Sequence, residues 1–240
     1  MSHTLFISDL HLSPERPGIV EVFFAFVGRT AAQAGALYIL GDLFEYWVGD
    51  DDLDEPLNAA VAKALGELAA RGVAVFLMHG NRDFLVGREF AERTGMKLIG
   101  DPTVLDLYGA RTLLMHGDTL CTDDVDYQKF RTLARSPEFQ ADFLAQSIGA
   151  RKQRVGQLRA INEQAKQAKA AEIMDVAPAT VEAVLRQHAY PRLIHGHTHR
   201  PARHVHRVDG RECERWVLPD WYERGGYLRC DERGCTAVTL

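Results

Sequence analysis

Cysteine is scarce in these 240 residues: there are four, Cys121, Cys213, Cys230 and Cys235, with no C-x-x-C pair among them. That spacing argues against a zinc ribbon and against a disulfide framework. No stretch approaches the ~18 consecutive apolar residues of a membrane-crossing helix. The opening MSHTLFISDLHL lacks a basic segment followed by a long apolar run and a small-residue cleavage site, so no secretory leader is expected. An excess of one charge is lacking too. Lys and Arg number 28 against 33 Asp and Glu, a net charge of −5, which gives no global footprint of a nucleic-acid binder. These absences favour a cytoplasmic chain in a reducing compartment. What remains is an ordinary soluble composition, 46% hydrophobic and 25% charged. The unusual feature is the ten histidines and where they sit.

Five short apolar runs share one grammar. Leu5-Phe6-Ile7 leads into Ser8-Asp9-Leu10-His11, and Leu37 to Leu40 leads into Gly41-Asp42. Val73 to Met78 leads into His79-Gly80-Asn81-Arg82-Asp83. Thr112 to Met115 leads into His116-Gly117-Asp118, and Arg192 to Ile194 into His195-Gly196-His197-Thr198-His199. Each run is too short for a helix and rich in large or β-branched apolar residues, so each reads as a buried strand. Helical patterns fall at 19–34, 56–71, 86–94 and 178–189, the second opening at Pro56 and closing before Gly72. Alternating strands and helices predict a layered α/β fold. From His204 the pattern changes to a hairpin turning at Asp209-Gly210, followed by strands at 226–230 and 236–240.

Residues 127–171 differ from the rest. They hold nine Lys or Arg against three acids, a local charge of +6, which leaves −11 on the remainder. Glycine is rare there and Ala, Gln, Leu and Arg are common, so the stretch is expected to be helical. It reads as a basic helical insertion beside an acidic body, or as an ordinary solvated helical face. With its flanks it is expected to form a helical lid, 125–172, inserted within a single domain spanning 1–240.

The polar residues at the five strand ends are Asp9, His11, Asp42, Asn81, His116, His197 and His199, all oxygen or imidazole donors and none a thiolate. Two divalent ions a few ångströms apart need one carboxylate to bridge them and further ligands on each side. Asp42, following a glycine at a strand end, suits the bridge. His11 lies two residues after Asp9, and His199 two after His197. In extended backbone that spacing puts both side chains of a pair on one face. Any one of these residues alone is an unremarkable turn residue; the ordered set of five blocks is not.

The set D-L-H, G-D, G-N-R-D, H-G-D and G-H-T-H resembles that of the calcineurin-like metallophosphoesterases. The resemblance implies a four-layer αββα sandwich of two mixed sheets. It also implies two Mn²⁺ ions per subunit, one held by Asp9, His11 and His199, the other by Asn81, His116 and His197, with Asp42 between them. Protein phosphatases of this class follow the second block with Asp-Arg-Gly, whereas here the chain reads Gly41-Asp42-Leu43-Phe44-Glu45-Tyr46-Trp47-Val48-Gly49-Asp50-Asp51. The segments Leu37 to Asp42, His79 to Leu85, Met115 to Asp124, Ile173 to Val176 and Leu193 to Pro201 are similar to the UDP-2,3-diacylglucosamine hydrolase family of lipid A biosynthesis. The implied activity is attack of water on the α-phosphorus of UDP-2,3-diacylglucosamine, giving UMP and 2,3-diacylglucosamine 1-phosphate. The implied location is peripheral, on the cytoplasmic face of the inner membrane. No nucleic acid and no obligate protein partner are expected.

The resemblance assigns catalysis to Asp42, Asn81, Arg82, His116 and His197. It assigns substrate contacts to Asn81, Arg82, Asp124, Asn162, Lys166, Lys169 and His197, with Asn162 standing where Ser is usual and Lys166 where Asn is usual. The Arg82 fork suits phosphate oxygens; the alternative is an ion pair with Asp83. Asp83 and Asp118 read either as carboxylates that orient ligand imidazoles or as plain turn residues. His79 and His195 read as packed strand-end histidines. Alternatives to the lipid-nucleotide activity are another dinuclear phosphodiesterase, acting on cyclic nucleotides or nucleic acid, and a non-catalytic scaffold. The intact donor set disfavours the scaffold, and the acidic body disfavours DNA.

Overall fold

Side chains along the first apolar run alternate between two environments, and that alternation sets the architecture. The computed structural model describes residues 3–168 and 175–240. Strand β1 (Thr4–Ile7) sends Leu5 and Ile7 to one side and Phe6 to the other. β2 (Ala36–Leu40) divides Leu37 and Ile39 from Leu40, and β3 (Ala74–Met78) divides Leu77 from Met78. Neighbouring residues of a strand face opposite sides of its sheet, so both faces are apolar and both require cover.

Helices cover one face. α1 (Pro17–Ala25), α2 (Pro56–Ala70) and α3 (Arg88–Thr94) bury Phe23, Leu65 and Phe90 against Leu5, Ile7, Leu37, Ile39 and Leu77. α2 starts where the sequence predicts, with Pro56 in its first turn and the Glu55 carboxylate accepting from the backbone N–H groups of Leu57 and Asn58. A second sheet covers the other face. The chain continues through β4 (Lys97–Ile99), β5 (Thr103–Leu107) and β6 (Ala110–Leu114), then through helices α4 (Val125–Ala134), α5 (Pro137–Leu144) and α6 (Ile148–Ala168). After α7 (Pro178–Gln187) come β7 (Arg192–His195), β8 (Ala202–Val208), β9 (Arg211–Val217), β10 (Gly226–Asp231) and β11 (Gly234–Thr239).

The first sheet runs β11-β10-β1-β2-β3-β4 and the second β5-β6-β7-β9-β8. Both are mixed: β1 to β4 are parallel, β10 runs antiparallel to β1 and β11 antiparallel to β10, while β6, β7 and β9 are parallel with β5 and β8 antiparallel to their neighbours. Phe6, Leu40 and Met78 meet Leu107, Leu114 and Ile194 between the sheets. Leu113, Leu193 and Cys213, on the outer face of the second sheet, pack on Val181 and Leu185 of α7. This is the expected four-layer sandwich. Because β1, β2 and β3 are parallel, as are β6 and β7, their polar ends emerge at one edge of the sandwich, the place where open α/β sheets bind ligands.

Several local readings need correction. The pattern at 19–34 is not one helix: α1 gives way to a π-turn at Phe26–Thr30 and a 3₁₀ turn at Ala31–Gln33. The adjacent Phe26 and Val27 of the widened turn both enter the core. β4 and β5 lie outside the five apolar runs: β4 has only three residues, and β5 is exposed at Val104 and Asp106. A disulfide joins Cys230 to Cys235, contrary to the expectation from cysteine spacing. The two residues face each other across the β10–β11 hairpin, a proximity that comes from strand register and not from any motif. The cysteines therefore give no support to a reducing location.

The basic stretch is helical as expected, through α4, α5 and α6, up to the end of the described segment at residue 168. Its cations dock on the acidic body. The buried Arg151 meets the Asp51 carboxylate and donates to the Val48 carbonyl. Lys152 Nζ lies 2.8 Å from Asp52 Oδ1, and Arg131 Nε lies 2.6 Å from Asp118 Oδ2. Among the described residues no helix is long and apolar enough to cross a membrane.

Ile39, fully buried just before the Gly41-Asp42 turn, should matter more to stability than any exposed strand residue. Ile39→Ala is expected to cost about 2–5 kcal/mol and Val205→Ala, on an exposed position of β8, under about 0.5 kcal/mol. Urea unfolding midpoints of the two variants measure the difference; equal losses would contradict this packing.

Candidate metal centre

The seven donors sit on the loops that leave β1, β2, β3, β6 and β7, and the backbone of those loops is unusual. Asp9, His11, Asp42, His197 and His199 all adopt positive φ, between 50° and 68°. Such conformations are uncommon for residues with a side chain and persist only where their surroundings fix them. The idea that extended backbone puts Asp9 and His11, or His197 and His199, on one face is therefore wrong in its reason. The pairs converge because left-handed turns fold each loop back on itself.

Hydrogen bonds lock these turns together. The Asp9 N–H donates to the Gly41 carbonyl (3.1 Å) and the His11 N–H to the Asp42 carbonyl (2.9 Å). Asp9 Oδ2 accepts from the His197 N–H, and Asp42 Oδ1 from the Arg82 N–H, both at 2.8 Å. The approach is so close that a Cβ on Gly80 would collide with the Asp42 carboxylate, and one on Gly196 with Asp9 and Ser8. Glycine is thus required at both positions for the loops to meet.

The donor atoms gather in two overlapping groups, Asp9–His11–His199 and Asp9–Asp42–His116, within each of which they lie no more than 4.8 Å apart. His11 Nε2 is 3.4 Å from His199 Nε2 and 3.7 Å from Asp42 Oδ2. His199 Nε2 is 3.3 Å from Asp9 Oδ1, and His116 Nε2 is 3.8 Å from Asp42 Oδ1. Asn81 Oδ1 lies 2.9 Å from both His116 Nε2 and His197 Nδ1. Asp9, His11, Asp42 and His116 are all buried.

The electrostatics follow from this crowding. Burial raises the Asp42 carboxyl above its usual range, with His116 and His11 opposing. Burial acts against the charged form of His116, but Asp42, Asp118 and Asp9 outweigh it and lift that group to about 9. His197 is driven down to about 3 by burial and by its neighbour His116. Asp9, despite burial, is held well below the carboxylate range by His199, His116 and His11. Asp9 Oδ1 is nevertheless buried without a hydrogen bond. A buried, unpaired carboxylate oxygen facing imidazole nitrogens fits a divalent cation, and the mixed O and N set suits the first-row metals and Mn²⁺ among them.

Asp83 orients no imidazole; its oxygens accept from the backbone N–H groups of Leu43 (2.7 Å) and Gly80 (2.8 Å). Asp118 also serves none: its Oδ2 accepts from Tyr127 Oη at 2.7 Å and from Arg131. The outer nitrogen of His116 instead meets the Leu40 carbonyl at 2.8 Å. Backbone groups nearer to these aspartates, and the basic insertion, reach them first. Arg82 does not pair with Asp83; its Nη1 lies 3.9 Å from Glu45 Oε1, and its Nε is buried and without a partner. Asp124 caps α4 by accepting from the Tyr127 N–H. Asn162 and Lys166 fall in the last turns of α6, where side chains lie outside the described residues, as does Lys169 altogether. Two residues unread in the sequence join the site: Glu45, 3.1 Å from His11 Nδ1, and Tyr222, whose ring packs on His11 and His199 at 5.1 and 5.2 Å. Glu45 stands inside the quoted second block, three residues past Asp42, whereas Tyr222 had no motif to mark it.

His195 is the packed strand-end histidine expected of it. Its Nε2 faces Arg215 Nη1 at 3.1 Å and its Nδ1 the Gly196 carbonyl at 2.8 Å, so the ring is neutral with Nδ1 donating. Burial first, then Arg215, holds its pKa down at about 3. The unfolded chain protonates near the ordinary histidine value, so this group's contribution is complete above pH ~6.5 and is lost progressively as pH falls toward about 3. His195→Gln, which keeps an acceptor for Arg215, should flatten the fall of melting temperature between pH 6.5 and 4.5. Parallel melting curves for the two proteins over this range would contradict the assignment.

His79, by contrast, is half-buried and meets the Val86 carbonyl at 2.7 Å. The family profile described as calcineurin-like phosphoesterase matches residues 2–201. A UDP-2,3-diacylglucosamine hydrolase of Aromatoleum aromaticum is 55% identical over 230 residues, covering 96% of this chain and 94% of the relative. Proteins of the same name from Xanthomonas campestris pv. campestris and Xanthomonas oryzae pv. oryzae are each 52% identical, covering 99% and 96% of this chain and 98% and 96% of the relatives. With its matched blocks, its two mixed sheets and its cluster of carboxylate and imidazole donors, the chain belongs to the calcineurin-like phosphoesterase family.

Proposed function

We propose that this chain hydrolyses the pyrophosphate of UDP-2,3-diacylglucosamine by water attack at the α-phosphorus, releasing UMP and 2,3-diacylglucosamine 1-phosphate, a step of lipid A biosynthesis. The observation that carries the reading is near-full-length identity of 52–55% to hydrolases of that name, in a chain whose strand-end donors converge beside Arg82. We assign one divalent ion to Asp9, His11 and His199 and a second to Asn81, His116 and His197, with Asp42 shared, and Mn²⁺ as the metal. When bound, such a pair neutralises phosphoryl charge and lowers the pKa of water from about 15.7 toward about 7.

The chain's own groups do the rest. The Arg82 backbone is fixed by its N–H bond to Asp42, and its guanidinium, whose Nε has no hydrogen-bond partner, is proposed to bind a phosphate oxygen in the transition state. His197 stays neutral at physiological pH, so its ring can ligate or accept without first losing a proton. Asn81 holds the rings of His116 and His197 at one point through its side-chain oxygen. Asp124, Asn162, Lys166 and Lys169 are proposed to contact the sugar-phosphate end of the substrate.

The segment from residue 125 to 172 serves in this reading as a lid within one domain of 1–240. Val125, Phe130, Leu133 and Leu144 of α4 and α5 are exposed apolar residues among basic ones. Such a surface suits acyl chains and the anionic face of the inner membrane, to which the protein would attach peripherally from the cytoplasmic side.

Two tests follow. Chelator-stripped protein should turn over none of the substrate, and Mn²⁺ should restore activity; full turnover in chelator would overturn the metal assignment. Asp42→Ala and His116→Ala should each lower turnover at least ~10²-fold in a folded protein, by analogy with loss of one group that stabilises transition-state charge. Thin-layer separation of products from UDP-2,3-diacylglucosamine, UDP-glucose and a generic phosphodiester tests the substrate. Release of UMP from the lipid substrate alone is expected, and equal cleavage of the phosphodiester would favour the broader phosphodiesterase reading.

A further inference from the structure

Glu45 takes no part in the proposed reaction, yet three functional elements meet at its carboxylate. Its chain position is firm. The Glu45 N–H donates to the Leu12 carbonyl, the Leu12 N–H to the Leu43 carbonyl, and Leu12 and Phe44 form a bridge between the loops leaving β1 and β2. Glu45 is thus tied to the segment that carries His11. Its side chain is only 9% exposed. Oε2 lies 3.1 Å from His11 Nδ1. Oε1 lies 3.2 Å from Arg159 Nη2 on α6 and 3.9 Å from Arg82 Nη1.

The His11 ring makes the contact informative. Its Nε2 faces His199 and Asp42, so Nδ1 is the outer nitrogen. That nitrogen is buried and has no aligned hydrogen-bond partner, and Glu45 is the carboxylate within reach. A carboxylate on the outer nitrogen of a ligating imidazole fixes its tautomer, holds the ring plane and makes the inner nitrogen a better donor. The other oxygen accounts for the insertion: Arg159 extends from α6 to Glu45 across the Tyr46 ring, 5.8 Å from its centroid.

The geometry points to Glu45 as a positioning residue that holds the His11 imidazole for its ion and, through Arg159, docks the helical insertion on the same carboxylate. It rests on the assignment of Asp9, His11 and His199 to a divalent ion. The consequence is a physical link: the group that orients a metal ligand is the group on which the helical insertion docks. Glu45 touches no reacting atom in this scheme.

Titration of Mn²⁺ into the chelator-stripped full chain tests the first half. Glu45→Gln keeps the size of the side chain and removes its charge, and is expected to weaken Mn²⁺ binding 10–100-fold. A dissociation constant within twofold of wild type would overturn the positioning role. Failure of the wild type itself to bind Mn²⁺ would overturn the underlying metal assignment, and this inference with it. Should Glu45→Gln not fold, Glu45→Asp is read the same way, since one methylene fewer withdraws the carboxylate from His11. Chymotrypsin cleavage at Tyr127, Phe130, Phe139 and Phe143 tests the second half. Cleavage should quicken several-fold in Glu45→Gln and in Arg159→Gln, and the double variant should be no faster than either. Multiplying effects in the double variant, or no change in the singles, would overturn the docking role.

Discussion

Everything in this structure depends on two carboxylates, Asp9 and Asp42, buried side by side at the ends of adjacent parallel strands. The β1–β2 register, Thr4 with Ala36 through Ile7 with Ile39, delivers them to the same edge. Like charges out of water are costly, and a protein that keeps them must supply cations or lose the charges. This one surrounds them with His11, His116 and His199 and leaves Asp9 Oδ1 without a hydrogen bond. The left-handed backbone at Asp9, His11, Asp42, His197 and His199 is a second cost, borne by the cohesion of two sheets and three apolar clusters. Strain and buried charge concentrated at one edge of an otherwise regular sandwich are what a binding site requires.

Much of this was legible in the sequence because each of five blocks carried its own strand and its own donor. Five apolar runs gave five strands, and all seven donors meet. The layers follow from the alternation of Leu5, Phe6 and Ile7. What escaped reading was set by tertiary contact. Spacing of two between Asp9 and His11 does not reveal a left-handed turn. Asp83 and Asp118 look alike on paper, but backbone N–H groups occupy one and Tyr127 and Arg131 the other. Cys230 and Cys235 pair through a hairpin register. Glu45 lies among the apolar and aromatic residues that follow Asp42, and only the fold turns it toward His11.

The insertion shows charge complementarity at work. Its +6 excess faces a body of −11, and the contacts are specific: Arg151 with Asp51, Lys152 with Asp52, Arg159 with Glu45 and Arg131 with Asp118. Arg154 is also engaged, stacked over Phe139 and Phe143. Many of the cations that composition alone would offer to an anionic membrane are therefore occupied by the protein itself. Apolar residues on α4 and α5 then carry more of any contact with lipid than net charge suggests.

The central claim is that seven side chains from five loops hold a pair of divalent ions with Asp42 between them. Anomalous scattering from a crystal grown in Mn²⁺ measures it most directly. The account predicts two manganese peaks about 3.5–4 Å apart, one beside Asp9, His11 and His199 and the other beside Asn81, His116 and His197. A single peak, or manganese bound away from these loops, would contradict it.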